Sequence, residues 1–156
     1  MFSLTSPAFA QGESIPSKYT CDGDRMTNPP LTIYGIPTGT QSMVLLMEDP
    51  DVPKEAGADT FDHWVLFNLP AVVTEISEGM SSGLAGVNSR GEHGYTGPCP
   101  PPQYEPAEHR YFFRLYALDT ELALPYGATK KQVLAAMEGH VIGEAELMGK
   151  YKRVVH

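Results

Sequence analysis

Two histidines, a tyrosine and two aspartates in this sequence lie where short apolar runs begin or end. Side chains of these types can move protons or hold an anion by hydrogen bonds. Asp49 and Asp51 stand in "EDPDVP" (48–53), His63 opens "DHWVLFNL" (62–69), and His109 and Tyr111 open "HRYFFRLYAL" (109–118). On an extended chain His109 and Tyr111 share a face, with Cα atoms about 7 Å apart. The prolines of "EDPDVP" fix their own φ and keep the preceding residues out of helix, so both carboxylates sit in a stiff turn. A fourth stretch, "GYTGPCPPP" (94–102), combines a glycine without a side chain, Gly97, with prolines that lack N–H donors. It reads as a rigid wall whose one polarizable group is Cys99, and an X-Pro bond in it could be cis.

Each stretch has a plain reading alone: an Asp-Pro turn, a hydrogen-bonded core histidine, a proline-rich exposed loop. Together they place five polar side chains at strand ends beside a rigid loop, where binding groups are commonly held. Other chemistries fit less well. Asp49, His63 and His109 resemble a two-histidine, one-carboxylate metal set, but no two of them have local ligand spacing, so no metal is expected. "GMSSG" (79–83) is a literal G-x-S-x-G, yet the glycine-rich "LAGVNSRGEHG" behind it is a poor helix, which a nucleophile elbow requires. An acid–base enzyme using His63 or His109 with Asp49 lacks an evident nucleophile other than Cys99. The leading expectation is a non-enzymatic binding pocket without a cofactor.

Elements must position these groups. Fifteen glycines and fourteen prolines spread along the chain punctuate short apolar runs, a mainly β pattern. Strands are expected at 31–36, 42–49, 62–69, 109–118 and 144–153. In the fourth, His109, Tyr111, Phe113 and Leu115 share a face; in the last, Ala145, Leu147 and Tyr151 do, with Gly149 between. In the third, strict alternation puts His63, Val65 and Phe67 on one face and Asp62, Trp64 and Leu66 on the other. One helix is expected near 129–138: Thr129 and Gln132 form a capping-box pattern, Val133, Leu134 and Met137 an apolar face, and Gly139 the stop. The irregular region 78–108 is too long for an idle connection in a compact domain.

Composition bounds the rest. A chain of 156 residues fits one domain, 1–156, with a single substantial core. The net charge of −8, with no basic run, disfavours nucleic acid and anionic membrane as partners. No apolar run is long enough to span a bilayer, so no stable membrane insertion is expected. "SPAFAQ" contains an A-x-A, but nothing before it resembles a basic or continuous apolar leader, and the expected compartment is the cytoplasm. Cys21 and Cys99 are the only cysteines; they read as two reduced thiols, or as one disulfide if their loops meet.

In this order, "DPDVP", "HWVLFNLP", "GYTGPCPPP" and "HRYFFRLYALD" resemble the signature segments of the phosphatidylethanolamine-binding protein family, which includes Raf kinase inhibitor protein. "KYTCDG", "NPPL" and "GEAELMGKYKR" resemble its bacterial and archaeal branch, and the likeness covers nearly the whole chain. It implies an antiparallel β-sandwich with Greek-key connections and short peripheral helices, with a cavity for phosphate-like anions such as the phosphorylethanolamine head group. Carried over by motif, it assigns to that cavity Asp49, His63, Gly97, Cys99, Pro101, His109 and Tyr111; Asp51, Trp64 and Tyr95, within the same stretches, are expected to join them. Imidazole, phenol and loop N–H groups would donate to the anion, with Asp49 favouring a protonated histidine. The family also implies inhibitor-like modulation of a kinase, protease or other protein partner, and a homodimer by analogy with prokaryotic relatives. Cys99 stands where animal relatives carry glycine. The chain ends at "YKRVVH" without their extended C-terminal segment, so lipid binding and Raf inhibition are not expected of it.

Overall fold

The structure is a computed structural model that describes residues 1–53, 59–80 and 82–154. Two antiparallel sheets face each other. The smaller pairs β1 (Ser3–Thr5), β2 (Leu31–Tyr34) and β5 (Glu75–Ile76) in the order β1-β2-β5. The larger holds β3 (Ser42–Asp49), β4 (Phe61–Pro70), β6 (Leu84–Ala85), β7 (Glu108–Leu118) and β8 (Val141–Lys152) in the order β6-β4-β3-β7-β8. The five strands read from sequence all occur. The short β1, β5 and β6 escaped that reading, because two or three residues carry no periodicity.

Strand β3 is central, and its sequence says why. "SMVLLMED" is nearly continuous in apolar residues rather than alternating, as suits a strand covered on both faces. Met43, Leu45 and Met47 enter the sandwich core with Leu4, Leu31, Ile33 and Ile76 of the small sheet. Val44 and Leu46 enter a second cluster, capped by helix α1 (Lys130–Met137) through Val133 and Met137. The capping box forms as expected: the Thr129 side chain accepts from the Gln132 amide while the Gln132 side chain accepts from the Thr129 amide. Leu134, expected on the apolar face, is exposed instead, because only Val133 and Met137 reach the sheet. The one other helical turn among the described residues is a 3-10 turn at Ser17–Tyr19.

Strand β4 departs from strict alternation twice. Its register against β3 slips between Met43 and Leu45 and again between Met47 and Glu48, each time with an extra residue on β4. At the first bulge Asn68 takes φ 53°, a region asparagine tolerates, and its amide both donates to and accepts from the backbone of Leu122. The second bulge decides the site. Beyond it Trp64 and Leu66 point into the sandwich core, Val65 and Phe67 toward α1. His63 does not follow Val65 and Phe67, as alternation had implied; the extra residue turns it to the sandwich side, against Tyr111.

Candidate functional site

Because β3 runs antiparallel to both of its neighbours, its C-terminal end lies beside the N-terminal ends of β4 and β7. Asp49 pairs with Phe61 across one interface, and Glu48 with Phe112 across the other. Residues far apart in sequence thereby meet at one end of the sheet. Asp49, His63, His109 and Tyr111 line one cavity of about 240 Å³, and all four are buried. Phe61, Val52, Pro53, Pro100 and Pro101 add an apolar wall; Gly97, Thr96 and the Cys21–Cys99 bridge close another side.

The base of the cavity is ordered by three contacts. His109 Nδ1 lies 2.7 Å from Asp49 Oδ2, and as a carboxylate accepts, Nδ1 donates. His63 Nδ1 lies 2.7 Å from the Thr96 carbonyl, which also can only accept. The His63 ring meets Tyr111 edge-on at 5.2 Å, and the His109 ring stacks near the same tyrosine at 6.3 Å. Burial pushes the His63 imidazole down to about 4, against the opposing pull of the Thr96 carbonyl and the Asp49 charge, so the ring is neutral at pH 7. Burial, with the Asp49 carboxylate nearby, pushes the Tyr111 phenol far up, so it keeps its proton. Two buried polar atoms here have no hydrogen-bond partner among the described residues: His109 Nε2 and Tyr111 Oη. Such atoms are uncommon in a folded protein, and each calls for an explanation.

The sequence expectations divide on this geometry. Asp49, His63, Gly97, Cys99, Pro101, His109 and Tyr111 line the cavity. Trp64 and Tyr95 do not; they pack edge-to-face at 5.3 Å behind it, and Tyr95 Oη donates to the Tyr19 carbonyl. Asp51 points away, accepting from the backbone and guanidinium of Arg110, which hold its carboxyl below the usual range. Two of the expected loop donors are committed elsewhere: Thr96 N–H bonds the His63 carbonyl and Gly97 N–H the Arg25 carbonyl. Cys21 and Cys99 form a disulfide, so of the two readings left open the bridge is the one realised, and Cys99 offers no free thiol as a nucleophile. The cis bond among the described residues falls at Glu105–Pro106, beyond the "GPCPPP" wall. Ser81, the central serine of "GMSSG", lies outside the described residues. Among those residues no group of three His, Cys, Asp or Glu is placed to hold a metal ion.

Sequence reasoning missed the cations. Arg25 and Arg90 line the cavity mouth. Arg25 forks both oxygens of Glu92 at 2.8 and 2.9 Å and also reaches Thr96 Oγ1. The signal that could have found Arg25 is its closeness to Cys21, once that cysteine is paired with the Cys99 wall.

Comparison with known proteins agrees with this architecture. The family model described as phosphatidylethanolamine-binding protein matches residues 5–152. A UPF0098 protein of Chlamydia pneumoniae is 46% identical over 96% of this chain and 98% of its own length. Another, from Methanothermobacter thermautotrophicus, is also 46% identical, with 96% and 98% covered. The crystal structure of CT736 from Chlamydia trachomatis, described as a homologue of the phosphatidylethanolamine-binding protein, superposes with TM-score 0.91 at 44% identity, covering 98% of each chain. YbcL of Escherichia coli, described as a member of the mammalian family, gives 0.85 at 28% identity, with 98% and 99% covered.

Proposed function

The chain belongs to the phosphatidylethanolamine-binding protein family, in its bacterial and archaeal branch, and on that premise we propose that it is a non-enzymatic binding protein for a small phosphorylated or carboxylated anion. The observation that carries this reading is the pair of unpartnered polar atoms, His109 Nε2 and Tyr111 Oη, buried in one cavity. An oxyanion between them would satisfy both, and charge-assisted hydrogen bonds of that kind are the stronger sort. The Asp49 carboxylate holds His109 by Nδ1 and so turns Nε2 toward the anion. Arg25 and Arg90 would draw the anion to the mouth although the chain is acidic as a whole. In this reading the occupied pocket modulates a partner protein, in the manner of the family's inhibitors.

The test is phosphorylethanolamine and inorganic phosphate titrated by calorimetry against the protein and against His63→Ala near pH 6.5. Saturable binding in the first and none in the second supports the pocket; no binding to either ends the proposal.

An acid–base hydrolase or lyase is the second reading, favoured by the Asp49–His109 pair, which has the form of an oriented general base. It wants a nucleophile, and among the described lining residues Cys99 is bonded and the Thr96 hydroxyl accepts from Arg25. Turnover of a bound phosphate ester would decide for it. Location belongs to the same proposal. No helix among the described residues is long and apolar enough to cross a membrane. The disulfide weighs toward an oxidising compartment and away from the cytoplasm expected from sequence, since thiol pairs seldom persist oxidised in a reducing cytosol. Thiol labelling of freshly extracted protein separates the two.

A further inference from the structure

Resting on the anion-pocket reading for its effect on binding, we infer that Lys130 is a positioning residue for the cavity, acting from behind the sheet. It opens α1, a helix that contributes no residue to the cavity lining. By holding Glu48 and Asp62 together on the outer face, it sets the bulge that turns His63 inward.

The bulge links the two faces of β4. Met47 pairs with Trp64 and Glu48 with Asp62, so the residue left over between them is His63. Trp64 is fixed in the sandwich core. Strict alternation from Trp64 would send His63 out and bring Asp62 in. The extra residue reverses both: Asp62 emerges on the side of α1, where it meets Lys130, and His63 turns in against Tyr111. An outward Asp62 and an inward His63 are therefore one conformational choice.

That choice sets two carboxylates directly opposite each other on neighbouring strands, an arrangement that like charges oppose. Lys130 Nζ offsets it by donating to both, to Asp62 Oδ1 at 2.8 Å and to Glu48 Oε2. The side chains of Lys130, Asp62 and Glu48 are only 19, 22 and 16% exposed, so a charge left unpaired among them is costly. Arg114 shares Glu48 at 3.1 Å, but among the described residues Lys130 is the one cation paired with Asp62. A lysine in the first turn of a helix also stands against the helix dipole, which the two carboxylates offset. Two other anchors hold the bulge from the loop side: Ser89 bonds the backbone of Asp62 in both directions, and Thr96 bonds His63. Neither touches the two charges.

The test compares the parent with Lys130→Met, Lys130→Gln and the double variant Lys130→Met with Asp62→Asn. Two readouts follow the site: the NMR signal of the His63 Nδ1 proton, and calorimetric titration with inorganic phosphate. Methionine keeps the stem of the side chain and strands Asp62; glutamine keeps a donor without the charge and serves if methionine prevents folding. Either single variant should move or broaden the His63 signal and weaken phosphate binding about tenfold or more. The double variant removes the repulsion, and should return the signal to its parent position and the affinity to within about threefold of the parent. A lysine that only staples the helix would behave differently. Single variants that lose stability in urea with the His63 signal and affinity unmoved, or a double variant whose signal stays displaced, would overturn the inference. No phosphate binding by the parent would remove the anion-pocket reading instead, and the His63 signal would still decide the role of Lys130.

Discussion

His109 and Asp49 are joined across neighbouring strands, Nδ1 to Oδ2 at 2.7 Å, with both side chains almost wholly buried. One residue along β7 and two residues past the end of β3, Arg110 and Asp51 repeat the pairing on the outside. The proline-locked turn after β3 and the start of β7 are thus stitched twice. The inner stitch fixes which nitrogen of His109 faces the cavity; the outer one holds the turn that presents Asp49.

Asp49→Asn should therefore weaken both anion binding and the fold. Asparagine removes the charge of the acceptor that orients His109 while keeping the size of the side chain. Calorimetry should read a loss of affinity of about tenfold or more, and urea unfolding a loss of about 1–3 kcal/mol. Unchanged affinity would show that the pair has no part in binding.

Tyr111→Phe should move the two measurements in opposite directions. The phenol oxygen is buried without a partner among the described residues, so removing it relieves a desolvated group and should stabilise the protein by about 1 kcal/mol. The same change removes a donor to the ligand, and phosphate affinity should fall by about tenfold or more. A destabilised Tyr111→Phe would mean that the hydroxyl is satisfied within the fold.

Acid should destabilise the protein in a window set by His63. Its ordinary value is 6.5 and its folded value about 4, so between these the unfolded chain binds a proton that the native protein refuses. Stability then rises with pH across that window, is lost progressively as pH falls through it, and is unaffected by this group above about pH 7. The carboxyls that their partners hold low, Asp22, Asp51, Glu78 and Glu92, act further down. Melting temperature followed from pH 7 to 4.5 should drop less in His63→Gln than in the parent; equal slopes would rule out a buried neutral His63.

Reducing the Cys21–Cys99 bridge, or replacing both cysteines by serine, should destabilise the protein. The bridge joins residues 78 apart, and in the chain-entropy account a loop of that length contributes about 4 kcal/mol. A fall in melting temperature of roughly 10 °C is expected by calorimetry. Phosphate affinity should fall too, because the bridge ties the loop carrying Arg25 to the loop carrying Thr96.

Gly97→Ala should damage the site from behind. A Cβ there would collide with the Tyr19 carbonyl, while the backbone angle itself would suit any residue. The strand-end loop must shift, at about 1–3 kcal/mol, carrying with it the Thr96 carbonyl that holds His63. The His63 Nδ1 proton signal in NMR should move or broaden; an unmoved signal would show that the loop absorbs the methyl group elsewhere.

The sequence by itself determined the strands that make the large sheet, the capped helix and which ends of the strands carry polar groups. Each of these is local: apolar runs, Thr129 with Gln132, and prolines that stiffen a turn speak within a few residues. His109 and Tyr111 shared a face as the period of two required, because β7 runs without a slip from Glu108 to Ala117. Only the tertiary structure decided the facing of His63, because a bulge is a register slip between two strands and leaves no mark on either one alone. It also decided that Trp64, Tyr95 and Asp51 stand outside the cavity and that Arg25 stands at its mouth. Those placements depend on residues 59 to 76 positions away, Arg110 for Asp51, Glu92 for Arg25 and Tyr19 for Tyr95, and contacts of that range are fixed by packing rather than by local pattern.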